Sequence, residues 1–313
     1  TTSRCIRVKT IVHDTQSDKV SSMSWPAPAK LNLMLHIIGR REDGYHDLQT
    51  VFQFIDYVDE LAFRPRSDDK IVRICEGFEV PEDEDIIIRA ASLLRDRYWQ
   101  ENPSASIHCG VDIHLTKNIP MGAGLGGGSS DAATTLVALN TLWGTGYSID
   151  ELAEMGLSLG ADVPVVVRGF AAFAEGIGEK LRPVSLQEKW YLVLVPPVHV
   201  STKKVFENLD LTRDCSAIKL CDLSRHEWRN VCTPVVIKNY PMVSQAIDII
   251  GEYSKAKMSG TGASVFSSFD TKVQAEEVLQ KIRSEHEIET WNSFVAKGLN
   301  KSPLHHVLEA QTR

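Results

Sequence analysis

The 313-residue sequence lacks the ligand spacings of a common zinc site. None of its six cysteines, at positions 5, 75, 109, 215, 221 and 232, forms a C-x-x-C pair, and its ten histidines include no H-E-x-x-H. Scattered thiols in a chain of this length predict a reducing compartment rather than a disulfide framework. No apolar run approaches the roughly 20 residues that a membrane helix needs, so no membrane partner is expected. Positive charge is in deficit too, with 34 Lys and Arg against 41 Asp and Glu, a net −7. A nucleic-acid partner is therefore not expected, because phosphate backbones reward clustered cations. Internal repeats and low-complexity tracts are missing as well, and nothing in the sequence gives an oligomeric state.

What is present suits an ordinary globular protein, since 43% hydrophobic and 24% charged residues supply a core and a solvated surface. The first 23 residues stand apart. Arg4, Arg7 and Lys9 lie among serines and threonines with no acid before Asp14, a composition that predicts a transit-peptide remnant or a disordered extension. Beyond it, a Pro-rich and polar cluster at Pro183–Gln187 suggests two lobes, 24–185 and 186–313.

Leu31, Leu33, Leu35 and Ile37 alternate with Lys30, Asn32, Met34 and His36, the period-two pattern of a half-buried strand. Lys30 and Asn32 then share a face. Gly39–Gly44 reads as a turn, Val51–Val58 as an apolar stretch, and Val111, Ile113 and Leu115 as a second alternating strand. Ile86–Trp99 reads as helical, as do the segment from Ser129–Asp131 to Trp143 and the short Glu151–Leu159. The β-branched runs Val163–Val167 and Trp190–Val195 predict strands. A strand at Val265-Phe266 and a helix over Ala275–Ile282 follow. Strands and helices mixed without regular alternation predict an α+β fold.

The most informative segment is Pro120, Met121, Gly122, Ala123, Gly124, Leu125, Gly126, Gly127, Gly128, Ser129 and Ser130. Five glycines in seven residues let backbone N–H groups approach a ligand, and the helix that follows turns its positive end toward the loop. That is a phosphate site; a bare flexible turn would need fewer glycines. Gly122, Gly124 and Gly127 also fit G-x-G-x-x-G, but no acid ends a following strand about 20 residues on, as a dinucleotide site requires. No Lys precedes Ser129, so this is not a Walker loop. Positive charge must come from elsewhere. Lys30 is one source, and Asp162 is a candidate acceptor for a hydroxyl proton. Read singly, Lys30 could be a solvated lysine and Asp162 a turn residue.

Three segments in order, PAKLNL (Pro28–Leu33), the glycine loop and KMSGTGAS (Lys257–Ser264), reach across nearly the whole chain and resemble the GHMP kinases. That family is named for galactose, homoserine, mevalonate and phosphomevalonate members. The resemblance implies two lobes with the active site in the cleft, ATP on the glycine loop, and Mg²⁺. It implies Lys30 and Asp162 as the catalytic pair, with Lys117 near adenine or the phosphates. The resemblance leaves the Mg²⁺ ligands open, and Ser129 and Ser130, read from the loop itself, either cap the helix or offer hydroxyls to phosphate or Mg²⁺. Asp131 departs from the broader pattern and sets a carboxylate beside the phosphates.

Further segments, REDGYHDLQT (Arg41–Thr50), GADVP (Gly160–Pro164) and AAFAEGIGE (Ala171–Glu179), resemble one branch of the family. Its acceptor is a small molecule carrying a cytidine diphosphate group, in non-mevalonate isoprenoid precursor synthesis. By that resemblance Asn32 places the methylerythritol end, and Tyr45, His46 and Phe206 recognise cytosine. The basic N-terminal stretch then suggests a chloroplast. A homoserine- or mevalonate-type acceptor is the alternative within the family; a nicotinamide-dependent oxidoreductase or a non-catalytic nucleotide sensor is a remoter one.

Overall fold

The computed structural model describes residues 24–75, 80–104 and 108–311. The expectation for residues 1–23 lies outside them. The first half runs β1 (Ser24–Arg40), β2 (His46–Arg66), β3 (Ile71–Ile74), α1 (Ile86–Glu101), β4 (Gly110–Thr116), α2 (Gly127–Trp143), α3 (Ile149–Leu157), α4 (Val163–Arg168), β5 (Ala172–Glu175) and β6 (Lys180–Pro183). The second runs β7 (Trp190–Val195), α5 (Thr202–Glu207), α6 (Thr233–Asn239), α7 (Pro241–Gly251), β8 (Lys257–Met258), β9 (Val265–Phe269), α8 (Lys272–Glu285), β10 (Asn292–Leu299) and α9 (Pro303–Gln311).

Strand β2 is the spine of a sheet ordered β3-β4-β2-β10-β7-β9-β8. Strand β1 runs antiparallel along β2, from Ser24 opposite Ala62 to Arg40 opposite His46. The remaining partners of β2 take turns: β5 at Thr50–Phe52, β10 at Phe54-Ile55, β4 at Glu60–Arg66. Strand β10 thus joins the sequence halves, pairing with β2 at one end and β7 along its length. One apolar core packs α1–α4 and Leu304 of α9 against the first strands; a second gathers α6–α8 around β7 and β9. A third, with Leu31, Met34, Val51, Phe173, Tyr191 and Phe266, bridges them.

Two local expectations change. Strand β1 is not half-buried: Lys30, Asn32, Met34 and His36 are buried along with the leucines. Irregularities at Pro28/Lys30 and Asn32/Met34 interrupt its ladder, and Lys30 donates its backbone N–H to the Leu125 carbonyl of the glycine loop at 2.9 Å. The loop, with Gly126 against the Lys30 side chain, and Ser259 at Asn32 therefore cover the start of the face that the alternation assigned to solvent. Val163–Val167 is not a strand but helix α4, with Pro164 in its first turn and Gly169 closing it at φ 72°. A short, uniformly apolar run cannot be told from a fully buried helix by periodicity, and Pro in the first turn favours the helix.

Candidate active site

The glycine loop passes into α2 one turn earlier than the serines suggested. Gly126 stands at the N-cap in the left-handed region (φ 74°), and no side chain caps the helix. The first-turn N–H groups are left for a ligand, and the helix dipole adds positive potential there. Gly122 and Gly124 also take positive φ. A Cβ at Gly126 would lie 2.8 Å from Cε of Lys30, and one at Gly124 would lie 2.5 Å from the Ser259 carbonyl oxygen. The loop is thus pressed between β1 and the 259–264 turn. The Ser259 hydroxyl fastens the three together, donating to the Gly124 carbonyl at 2.9 Å and accepting from the Asn32 backbone N–H at 3.1 Å.

Lys30 is 3% exposed. Its ammonium donates to Asn32 Oδ1 at 2.5 Å and lies 3.0 Å from Asp162 Oδ2. The Asn32 amide in turn donates to Thr50 Oγ1 at 2.8 Å, and that hydroxyl donates to the Met34 carbonyl. Asp162 precedes α4 but caps nothing with its side chain, so its carboxylate serves Lys30 rather than a turn. The two residues lie 132 positions apart, and only the fold joins them.

Beside the loop is a cleft of about 380 Å³ lined by Lys117, Pro120–Gly124, Gly126–Ser129 and Asp131, with Ile86, Ile87 and Leu115 as apolar wall. Ser129 lines it, whereas Ser130 is fully buried behind the loop with its hydroxyl unpartnered among the described residues. Leu125 is also buried and meets Lys30 through its carbonyl. Lys117 lies between two acids, 2.7 Å from Asp131 and 2.5 Å from Asp59. Asp59 also accepts the backbone N–H groups of Asn118 and Ile119. Burial, reinforced by Asp59 and opposed by Lys117, pushes the Asp131 carboxyl up to about 8. Burial works against the charge on Lys117, but the two acids hold its pKa above the ordinary value. Asp131 thus belongs to a buried cluster with Lys117 and Asp59 in which burial favours its uncharged form, which accounts for an acid beside a phosphate loop.

At the start of β2 the His46 ring packs on Phe206 of α5, centroids 5.3 Å apart. Its Nε2 accepts from Arg213 Nε at 3.1 Å, leaving the proton of the neutral ring on Nδ1. Burial, with Arg213 and Arg40, lowers the His46 pKa and keeps it neutral. Tyr45 is 62% exposed, its backbone tied to Asp43 and Arg41 and its ring left in solvent. Arg213 was not legible as a site residue. It also donates to the carbonyls of Phe206, Asn208 and Leu211, locking the end of α5 against His46. Ser259 and Asp59 were missed likewise; of these only Ser259 carried a signal, its place beside the glycines of KMSGTGAS.

The family models for the GHMP kinase N-terminal and C-terminal domains match residues 85–170 and 216–288. The chain belongs to the GHMP kinase family. A 4-diphosphocytidyl-2-C-methyl-D-erythritol kinase of Nitrosococcus oceani is 53% identical over 285 residues, 91% of this chain and 98% of that protein. One from Pseudomonas fluorescens is 51% identical over 92% of this chain and 98% of that protein. A crystal structure of 4-(cytidine 5'-diphospho)-2C-methyl-D-erythritol kinase superposes with a TM-score of 0.71 at 30% identity, over 88% of this chain and 99% of that one. As a GHMP kinase this chain is a small-molecule kinase of α+β architecture, and the nicotinamide reading of Gly122, Gly124 and Gly127 falls away.

Proposed function

We propose that this GHMP kinase transfers a phosphoryl group from ATP to a hydroxyl of 4-diphosphocytidyl-2-C-methyl-D-erythritol. The observation that carries the chemistry is the buried Lys30, 3.0 Å from Asp162 and packed under Gly126 of the phosphate-loop candidate. The named relatives support the acceptor.

The local chemistry fits a nucleotide: a cradle that any Cβ at Gly126 would fill, an uncapped helix start, and an apolar wall. Among the described residues no group of three or more His, Cys, Asp or Glu could hold a metal. Ser129, whose hydroxyl lines the cleft, is the residue that would hold Mg²⁺ beside the nucleotide. Such an ion, when bound, neutralises charge on the β- and γ-phosphates.

Phosphoryl transfer asks the protein mainly for positioning and charge stabilisation. On this reading Asp162 accepts the proton of the attacking hydroxyl, and its contact with Lys30 keeps it aimed. Lys30, anchored by Asn32, faces the charge that gathers between acceptor and γ-phosphate. The Nδ1–H of His46 and the rings of Tyr45 and Phe206 supply a donor and apolar faces for a cytosine. Release of ADP with 4-diphosphocytidyl-2-C-methyl-D-erythritol, homoserine and mevalonate as acceptors tests the proposal. Turnover is expected with the first alone, and preference for either of the others would replace it.

A further inference from the structure

A second groove of about 360 Å³ lies outside the glycine-loop cleft and shares no lining residue with it. Leu33 of β1, Tyr191 of β7 and Phe266 of β9 line it together with Trp228. Three lysines line it as well, and two have acidic partners: Lys189 lies 3.3 Å from Asp270, and Lys255 lies 2.8 Å from Glu227. Lys257 is different. Its ammonium sits 5.8 Å from the centre of the Trp228 ring and makes no ion pair or hydrogen bond among the described residues. Burial, aided by Lys255 and opposed by the nearby Glu227, lowers its pKa.

A partly desolvated ammonium between an indole and an apolar floor is costly unless an anion answers it. Asp270 and Glu227 are engaged with Lys189 and Lys255, which leaves Lys257 as the one lining lysine without an ion pair among the described residues. Leu33, Trp228 and Phe266 offer the apolar faces, while Gln187, Ser254, Ser267 and Ser268 add polar groups to the lining. The cavity is also of the size that small ligands occupy. We propose that this groove is a second ligand site, taking a small molecule with one anionic group on a flat apolar body, the anion on Lys257 and the body against Trp228 and Phe266. Lys257 opens the strand that runs directly into Ser259, whose hydroxyl holds the Gly124 carbonyl. The groove and the glycine loop are therefore joined by a few covalent bonds.

Phenyl phosphate is a suitable probe, with inorganic phosphate as the comparison and calorimetry on the full chain as the readout. Phenyl phosphate should bind the wild type, and inorganic phosphate at least tenfold more weakly, roughly one charge-assisted contact without its apolar support. Lys257→Met should weaken phenyl phosphate about tenfold or more, while Lys30→Met leaves it unchanged. Retention in Lys257→Met would put the ligand elsewhere and overturn the proposal, whether or not Lys30→Met loses it. So would no binding to the wild type at about 10 mM. Should Lys257→Met fail to fold, ¹³C-dimethylated wild-type protein decides. Its Lys257 resonance, assigned by its disappearance in Lys257→Arg, must shift on adding phenyl phosphate, and a resonance that stays in place refutes the site.

Discussion

Replacing Asp162 with Asn keeps the size of the side chain and removes the charge facing Lys30. The ammonium is almost wholly buried, the carboxylate about a third exposed, and 3.0 Å separates them. Lys30 keeps its bond to Asn32 Oδ1, so one charge-assisted contact is lost rather than all. Such a contact contributes about 1.5–3 kcal/mol when buried; the exposure of Asp162 favours the lower end. The melting temperature should fall by about 2–6 °C for a chain of this size. The catalytic loss should be much larger. Without a proton acceptor kcat should fall by about 10²-fold or more, and ATP affinity should change little because the loop N–H groups are untouched. Steady-state ADP release, with ATP affinity from calorimetry, measures both. Lys30→Met and the double variant complete the cycle: residues acting as one unit should make the double variant hardly worse than either single one. A kcat within a few-fold of wild type would refute the pairing as catalytic and leave it a structural ion pair.

The buried cluster at Lys117 predicts a pH effect. Burial raises the Asp131 carboxyl, so the folded state keeps a proton that the unfolded chain releases near pH 4; stability falls as pH rises from there toward the folded value and levels off above it. Asp131→Asn lacks that proton, so urea unfolding should show its stability relative to wild type growing as pH rises from acid, and parallel curves would contradict the assignment. Gly126→Ala should lose about 1–2 kcal/mol from its left-handed backbone alone and displace Lys30, lowering melting temperature and kcat together. Gly128→Ala meets only Ile86 at 4.0 Å; it should leave melting unchanged or slightly higher, so any rise in its ATP dissociation constant reads occupancy of the cleft. Tyr45→Ala should weaken a cytidine-bearing acceptor about 5- to 150-fold by loss of a stacking face and leave ATP alone, whereas equal losses for both would indicate a folding defect.

Much of this protein could be read in one dimension because the responsible forces are local. Glycine density at Gly122–Gly128 reports backbone conformation, and the observed positive φ at Gly122, Gly124 and Gly126 follows from it. The apolar stripe of Ile87, Ala90, Ala91 and Leu94 reports a helix face, and those four are the buried residues of α1. Tertiary structure decided what depends on partners distant along the chain. Val163–Val167 is helical because every side of it meets core and its first turn carries Pro164; its own β-branched residues favour a strand. Lys30 and Asn32 on β1 are dry because the glycine loop and Ser259, both distant along the chain, close over them, which alternation cannot register. Asp131 looked repulsive beside phosphates until Lys117 and Asp59 closed around it. Lys30 and Asp162, each ambiguous alone, became a pair only when β1 and the start of α4 were brought within 3.0 Å, because an ion pair is a property of distance in space and leaves no trace in sequence spacing.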